Sequence, residues 1–99
     1  MSRNETIVRI RAALKQRSKR RWSVTGGHGT AWGWIYVTAR RKDENLTEEE
    51  AKELTSLMGL SQPVHFQGLS IPAANDYYQE FVDRAEGRPP TRIGTPYWD

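Results

Sequence analysis

Residues 22–37 constrain the fold of this chain more than any other segment. Two runs in which polar and apolar residues alternate, 22–25 and 31–39, are separated by five residues that include three glycines. Such alternation predicts two half-buried strands, and a five-residue connection with glycine can close a hairpin between them. The sequence therefore predicts an antiparallel β-hairpin at the centre of the molecule.

The pairing register decides which side chains share a face of this hairpin. If Thr25 lies opposite Ala31, one face is strongly aromatic. That face carries Trp22, Val24, Trp32, Trp34 and Tyr36. A slip of one residue exchanges the two faces of a strand. Because the chain has few other large apolar residues, we favour rings that fill the core. The alternative is that Trp32 and Trp34 are exposed and stack on nucleic-acid bases.

Two helices are predicted on either side of the hairpin. The first is capped by Asn4 or Thr6 and runs to about Arg17, with apolar residues at helical spacing. The second begins with a capping-box pattern at Thr47 and ends at Gly59.

The segment after the second helix predicts a short strand and a third helix. Residues 64–71, between two prolines, are typical of an edge strand interrupted at Gly68. The third helix is predicted from Ala74 or Asn75 to about Gly87, with an apolar face.

The length and element order predict a small single α+β domain. Ninety-nine residues suffice for one core. We expect a domain over residues 1–87, in which the hairpin, with or without a third edge strand, packs with about three helices. Residues 88–99 contain several prolines and no periodicity, which predicts an extended tail.

The composition excludes several classes of site. The chain has no cysteine, so it cannot form disulfides, thiolate nucleophiles or finger-type zinc sites, and a reducing, cytoplasmic location is the simplest interpretation. No apolar run reaches the length of a signal peptide or of a membrane span. We therefore expect neither export nor membrane insertion.

The charge is modest but unevenly distributed. Fifteen Lys and Arg against twelve Asp and Glu give a net charge of +3. Many of the cations flank the hairpin, whereas the acids concentrate in 43–53 and 76–86, a segregation that favours an anionic partner. At the open end of the hairpin, the candidate nucleic-acid contacts are Lys19, Arg20, Arg21, Arg40, Arg41 and Lys42. The alternative is a solvated surface, with Lys15, Arg17 and Lys19 opposing the helix dipole.

The glycine-rich turn is a second candidate site. The candidate ligand loop consists of Gly26, Gly27, His28, Gly29 and Thr30, because glycine lets backbone amides approach a phosphate closely. Nucleotide-binding glycine loops lead into a helix, whereas a strand follows here, so an ordinary hairpin turn is favoured. His28-Gly-Thr30 resembles the His-x-Thr element of two-histidine phosphoesterases, but the segment at His65 has glutamine in the hydroxyl position.

Acid–base and metal chemistry have little support in the sequence. The two histidines, His28 and His65, could form an acid–base pair, or join Asp76, Glu80 or Asp83 around a metal. Their spacing matches no ligand pattern, and the three carboxylates are typical of a solvated helix face. We predict no catalytic residue, no metal and no cofactor.

Two family resemblances remain. Trp32-Gly-Trp-Ile35 is similar to part of the sheet motif of RRM domains, but the flanking basic and aromatic positions differ, so only the physical logic of base stacking carries over. The first forty residues, with Ile10-Arg-Ala-Ala-Leu-Lys15 before Trp22-Ser-Val24, resemble small accessory domains of phage and mobile-element polyvalent proteins. That resemblance implies a small α/β fold and a phage or mobile-element origin, and no catalytic residue.

Three functions are therefore compared. The favoured hypothesis is a non-catalytic protein that binds an anionic partner, nucleic acid first, through the basic residues at the open end of the hairpin. The second is a protein–protein adaptor or an inhibitor of a host factor. The third is binding or processing of a phosphoester or small nucleotide at the His28 turn.

Overall fold

A computed structural model of the chain describes residues 1–40 and 45–89. Its elements are α1 (Arg3–Arg17), β1 (Trp22–Gly26), β2 (Ile35–Ala39), α2 (Glu48–Leu57), β3 (Leu69–Ile71) and α3 (Asn75–Ala85). The strands form an antiparallel sheet in the order β1-β2-β3. The predicted α+β class, with three helices and a third strand, is confirmed. Residues 90–99 of the predicted tail lie outside the described residues.

The helix boundaries follow local capping chemistry. Thr47 caps α2 with the predicted capping box: Glu50 N donates to its hydroxyl at 3.1 Å, and Thr47 N donates to the Glu50 carboxylate at 2.8 Å. The cap of α1 is Ser2, not Asn4 or Thr6, because the Ser2 hydroxyl accepts a bond from the amide of Glu5. The helix therefore begins slightly earlier than the sequence suggested.

The register of the hairpin differs from the prediction. Trp22 lies opposite Ala39, five residues beyond the predicted partner Trp34. The alternating residues before Ile35 belong to the connection between the strands, which contains a single 3₁₀ turn, Gly29–Ala31. A shift by an odd number of residues exchanges the faces of β2, so Val24 lies opposite Val37.

One face of the sheet forms the core with α1 and α3. The strand residues that are buried there are Trp22, Val24, Ile35, Val37, Ala39 and Ile71. The interpretation that the tryptophans fill the core is correct for Trp22 and wrong for the other two in the hairpin. Trp32 is 57% exposed and Trp34 is 38% exposed, because the true register removes both from the inward-facing positions.

The third strand is shorter than predicted. It begins after Gly68, which has φ of 109° and packs so closely on Thr38 that a Cβ would lie 2.7 Å from that side chain. Upstream, Val64 N donates to the hydroxyl of Thr55 instead of to a neighbouring strand. The segment before Gly68 therefore belongs to a loop that is tied to α2.

Candidate nucleic-acid interface

A groove of about 730 Å³ runs between α1 and the free edge of β1, the edge that pairs with no other strand among residues 1–40 and 45–89. Its lining includes six cations and no carboxylate. We call it the basic groove, and its cations are Arg11, Lys15, Lys19, Arg20, Arg21 and Arg40. Four of the six cations predicted from the sequence lie in this groove. The other two, Arg41 and Lys42, lie outside the described residues.

The α1 wall of the groove is formed by side chains one helical turn apart. Arg11 and Lys15 are four residues apart, so they lie on the same face of the helix. One Nη of Arg11 donates to the carbonyl of Val24 at 2.7 Å, across the groove floor. This bond attaches the helix to the free edge of β1 and places both cations over that edge.

The open end of the hairpin adds a second pair of cations. Arg40 N donates to Arg21 O at 3.3 Å, which places the two arginines opposite each other. Both residues are exposed, as are Lys15 and Lys19. Within residues 1–40 and 45–89, none of these four side chains takes part in a hydrogen bond or an ion pair. Four cations that have no acidic partner in these two ranges therefore share one groove, which raises the local concentration of anions.

Arg20 differs from its neighbours because it pairs with acids of α2. Its Nε donates to Glu53 at 2.7 Å, and its other nitrogens lie 3.9 Å from Glu49 and Glu50. The hydrogen bond with Glu53 is the main reason that the pKa of Arg20 is raised. Arg20 therefore holds α2 against the start of β1 and is committed to the fold.

The same contact involves Ser18 and Trp22. The Ser18 hydroxyl donates to Glu53 and accepts a bond from the indole nitrogen of Trp22 at 3.1 Å. The bond from Ser18, and then the bond from Arg20, hold the pKa of the Glu53 carboxyl below its ordinary value. This cluster fixes one end of the basic groove.

The glycine turn is filled by its own chain. A Cβ on Gly27 would lie 2.1 Å from the carbonyl oxygen of Ala31, and the Gly27 amide donates to Trp34 O. The guanidinium of Arg3 donates to the carbonyls of Gly27 and Trp32 and lies 4.0 Å from the centre of the Trp32 ring. Two glycines of the predicted ligand loop thus permit close packing, Gly26 against Arg3 and Gly27 against Ala31, whereas Gly29 has open space and a φ of 58°.

The two histidines and the carboxylates of α3 were the candidates for acid–base or metal chemistry. His28 is exposed, and His65 accepts a bond from Gln67 N and stacks on Phe66 with ring centres 4.5 Å apart. The prediction that Glu80 and Asp83 lie on a solvated face is wrong, since both are buried. Glu80 pairs with Arg84 at 3.3 Å, and Asp83 pairs with Arg88 at 2.8 Å. No cluster of three metal-ligating side chains occurs in the described parts of the chain.

The sheet has a second, outward face that bears on this site. Side chains alternate along β1 and β2, so the residues between the core positions point away from α1 and α3. We call this the outer sheet face. Its members are Ser23, Thr25, Trp34, Tyr36, Thr38 and Ser70, none of which is buried. By the same alternation, the facing pair Arg21 and Arg40 continues this face at the open end.

The predicted set of nucleic-acid contacts did not include Arg11 or Lys15, the two α1 residues that line the groove. Their spacing of four residues was visible in the sequence. Which side of α1 faces β1 depends on tertiary packing, however, so the spacing alone could not assign them to this groove.

Comparison with known protein families, with curated proteins and with solved structures finds no match to this chain. The resemblance of its first forty residues to phage and mobile-element accessory domains stays a prediction. None of the helices among residues 1–40 and 45–89 has the length and apolar character needed to cross a membrane.

Proposed function

We propose that this protein binds nucleic acid in the basic groove. The observation that carries the proposal is the set of four exposed cations, Lys15, Lys19, Arg21 and Arg40, that have no acidic partner in the described chain. Phosphates placed among them would release counterions, which is the main source of affinity for nucleic acid. The protein binds without catalysis in this proposal.

The dimensions of the groove fit a short stretch of a phosphate backbone. The free edge of β1 spans residues 22–26, or about 13 Å at 3.3 Å per residue. Four cations without an acidic partner in the described chain surround this edge, so a short stretch of a phosphate backbone that lies along it can make up to four cation contacts.

The paired arginines are excluded from this contact set. Arg20 is tied to Glu53, and Arg11 has already donated one bond to Val24. A variant at Arg20 would disturb the packing of α2 as well as the charge of the groove. The test of binding therefore uses Lys19 and Arg21, whose side chains make no hydrogen bond or ion pair in the described fold.

The affinity of the protein for a labelled 20-nucleotide strand, measured by fluorescence anisotropy, tests the proposal. With four phosphate contacts, log K is expected to fall with log salt at a slope of about −3, or roughly 50-fold between 50 and 200 mM salt. An affinity that does not change over this range, or no binding at 50 mM, would contradict the proposal.

A matched pair of variants separates the groove from net charge. Lys19→Glu with Arg21→Glu is expected to abolish binding at 100 mM salt. The control changes Lys52, an exposed lysine of α2 outside the groove that lies 3.4 Å from Glu48. Lys52→Glu is expected to change the dissociation constant less than threefold. To match the change of four charges, Lys52→Glu is combined with Ser61→Glu and Gln62→Glu at exposed loop residues. Equal losses in the groove variant and in this control would assign the effect to net charge alone.

A further inference from the structure

The outer sheet face combines two aromatic rings with two arginines and contains no acid in the described strands. Trp34 and Tyr36 lie at one end of β2, and Arg40 lies at the other end, opposite Arg21. Between them the exposed or half-buried side chains carry hydroxyl groups. They are Ser23, Thr25, Thr38 and Ser70.

The backbone under Trp34 is fixed from the core side. The hydroxyl of Tyr78 on α3 donates to the carbonyl of Gly33. A Cβ at Gly33 would lie 2.4 Å from the Cβ of Ala73, so glycine is required for this close approach. Trp34 is therefore a large apolar side chain on a firmly held backbone, yet it is 38% exposed. Exposed rings on a rigid strand are suited to contact with a flat apolar ligand.

Trp32 occupies a different position. It lies in the connection before Trp34, and the Arg3 guanidinium covers one side of its ring. Of the two tryptophans that the sequence proposed for stacking, Trp34 is the one that alternation aligns with a strand residue, Tyr36.

We propose that the nucleic acid is single-stranded and that its bases stack on Trp34 and Tyr36 while its phosphates reach Arg21 and Arg40. This inference rests on the proposed function and names its substrate class. Trp34 directly precedes β2, and its carbonyl accepts a bond from Gly27 N that continues the pairing with β1. Tyr36 is two positions further on, or about 6.6 Å along an extended chain. Successive bases of an unpaired strand can be separated to this extent, whereas the bases of a duplex are stacked on one another and hidden from the sheet.

The outer sheet face extends beyond the basic groove, which allows the two sites to be tested separately. Ser70 on β3 lies opposite Tyr36, on the side away from β1. It is exposed and is absent from the lining of the groove. A negative charge at Ser70 would repel a strand that crosses the sheet but would leave the groove unchanged.

The experiment compares three labelled probes at 50 mM salt: a 20-nucleotide thymidine strand, an abasic strand with the same number of phosphates, and a 20-base-pair duplex. We expect the thymidine strand to bind most tightly. Trp34→Ala is expected to weaken its binding roughly 5- to 150-fold, as for loss of one stacked base, and to leave binding of the abasic strand within twofold.

Two further variants keep the test decisive if Trp34→Ala is poorly folded by circular dichroism. Ser70→Glu is expected to weaken thymidine-strand binding at least fivefold more than Ser61→Glu, which adds the same charge at an exposed loop residue. Trp34→Phe retains a stacking ring, so it should bind within threefold of wild type while losing most of the tryptophan quenching that the strand causes.

The outcomes distinguish this inference from the proposed function. Absence of binding to all three probes would overturn both. Equal affinity for the thymidine and abasic strands, together with equal effects of Ser70→Glu and Ser61→Glu, would overturn base stacking and leave the basic groove as the binding site.

Discussion

The two sides of α1 use the same residue types for different purposes. On the side that faces α3, Arg9 pairs with Glu86 at 3.2 Å, and one Nη of Arg17 donates to the carbonyls of Leu57, Arg84 and Ala85. On the side that faces β1, Lys15 has no acidic partner among the described residues, and neither has the nearby Lys19.

This difference shows that the partners of a cation, more than its position in the sequence, indicate its role. A guanidinium that closes the carbonyl ends of α2 and α3 compensates their helix dipoles and cannot leave without exposing them. An exposed ammonium in a groove with other cations closes no hydrogen bond or ion pair of the described fold. Its charge is available for a ligand.

The largest expected effect is the loss of Arg17. Arg17→Ala removes three charged hydrogen bonds to carbonyls at two helix ends, and we expect the free energy of unfolding to fall by about 2 kcal/mol. Urea denaturation followed by circular dichroism measures this. Arg21→Ala serves as the control and should stay within about 0.5 kcal/mol of wild type. Equal losses in the two variants would erase the distinction between the two sides of α1.

The Glu53 cluster is the border case, because Arg20 lines the groove but is paired. The pKa of Glu53 is lowered by Ser18 and then by Arg20, so its contribution to stability is complete above the ordinary glutamate pKa of about 4.3 and is lost as pH falls through the lower, folded-state pKa. Since the carboxyl is about a third exposed, we expect Glu53→Gln to cost less than about 1 kcal/mol at pH 7.

The pH dependence of that variant provides the check. The stability difference between wild type and Glu53→Gln should be constant from pH 6 to pH 8 and should shrink below pH 4. A difference that grows on acidification would show that the charged carboxylate does not stabilise the fold.

The ion pair on the α3 side is expected to contribute less. Arg9 and Glu86 are both partly exposed, so a double-mutant cycle with Arg9→Ala and Glu86→Ala should give a coupling energy of about 0.5 kcal/mol. It should decrease at 0.5 M salt because screening weakens partly exposed pairs. A coupling above about 2 kcal/mol would mean that this pair is as important as Arg17.

The smallest effect is expected on the side facing β1. Lys19→Gln with Arg21→Gln reduces repulsion among uncompensated cations, so the free energy of unfolding should rise by a few tenths of a kcal/mol at low salt. Added salt should remove the gain. A loss of stability at low salt would reveal a structural role for one of these side chains.

The sequence was informative where local chemistry determines the structure. The capping box at Thr47 and the glycine after α2 depend on residues within one or two turns, so the boundaries of α2 followed from them. The spacing within α3 likewise predicted its apolar face, on which Tyr78 and Phe81 are buried. Each of these features needs no knowledge of distant parts of the chain.

The hairpin register could not be derived in the same way. Residues 31–34 alternate like a strand, but a 3₁₀ turn and the contacts of Arg3 with Gly27 and Trp32 remove them from the sheet. Those contacts span more than twenty residues. The same limitation applies to the basic cluster: its position at the open end was predicted, but the commitment of Arg20 to Glu53 depends on how α2 packs.

The free edge of β1 has a consequence for how this protein behaves when it has no ligand. Backbone bonds to the β2 side are made by Arg21 and Gly27, the residues that flank β1. Because hydrogen-bonded positions alternate along an antiparallel strand, the odd-numbered residues of β1 bond to β2. The backbone N–H and C=O of Val24 therefore point to the free edge. An unpaired edge is a template on which a second copy can add a strand and begin to aggregate. Arg11 occupies the Val24 carbonyl, and the surrounding cations repel an approaching identical edge. The charges proposed to attract phosphate thus also keep neighbouring copies apart. Neutralising them is expected to weaken nucleic-acid binding and to promote self-association.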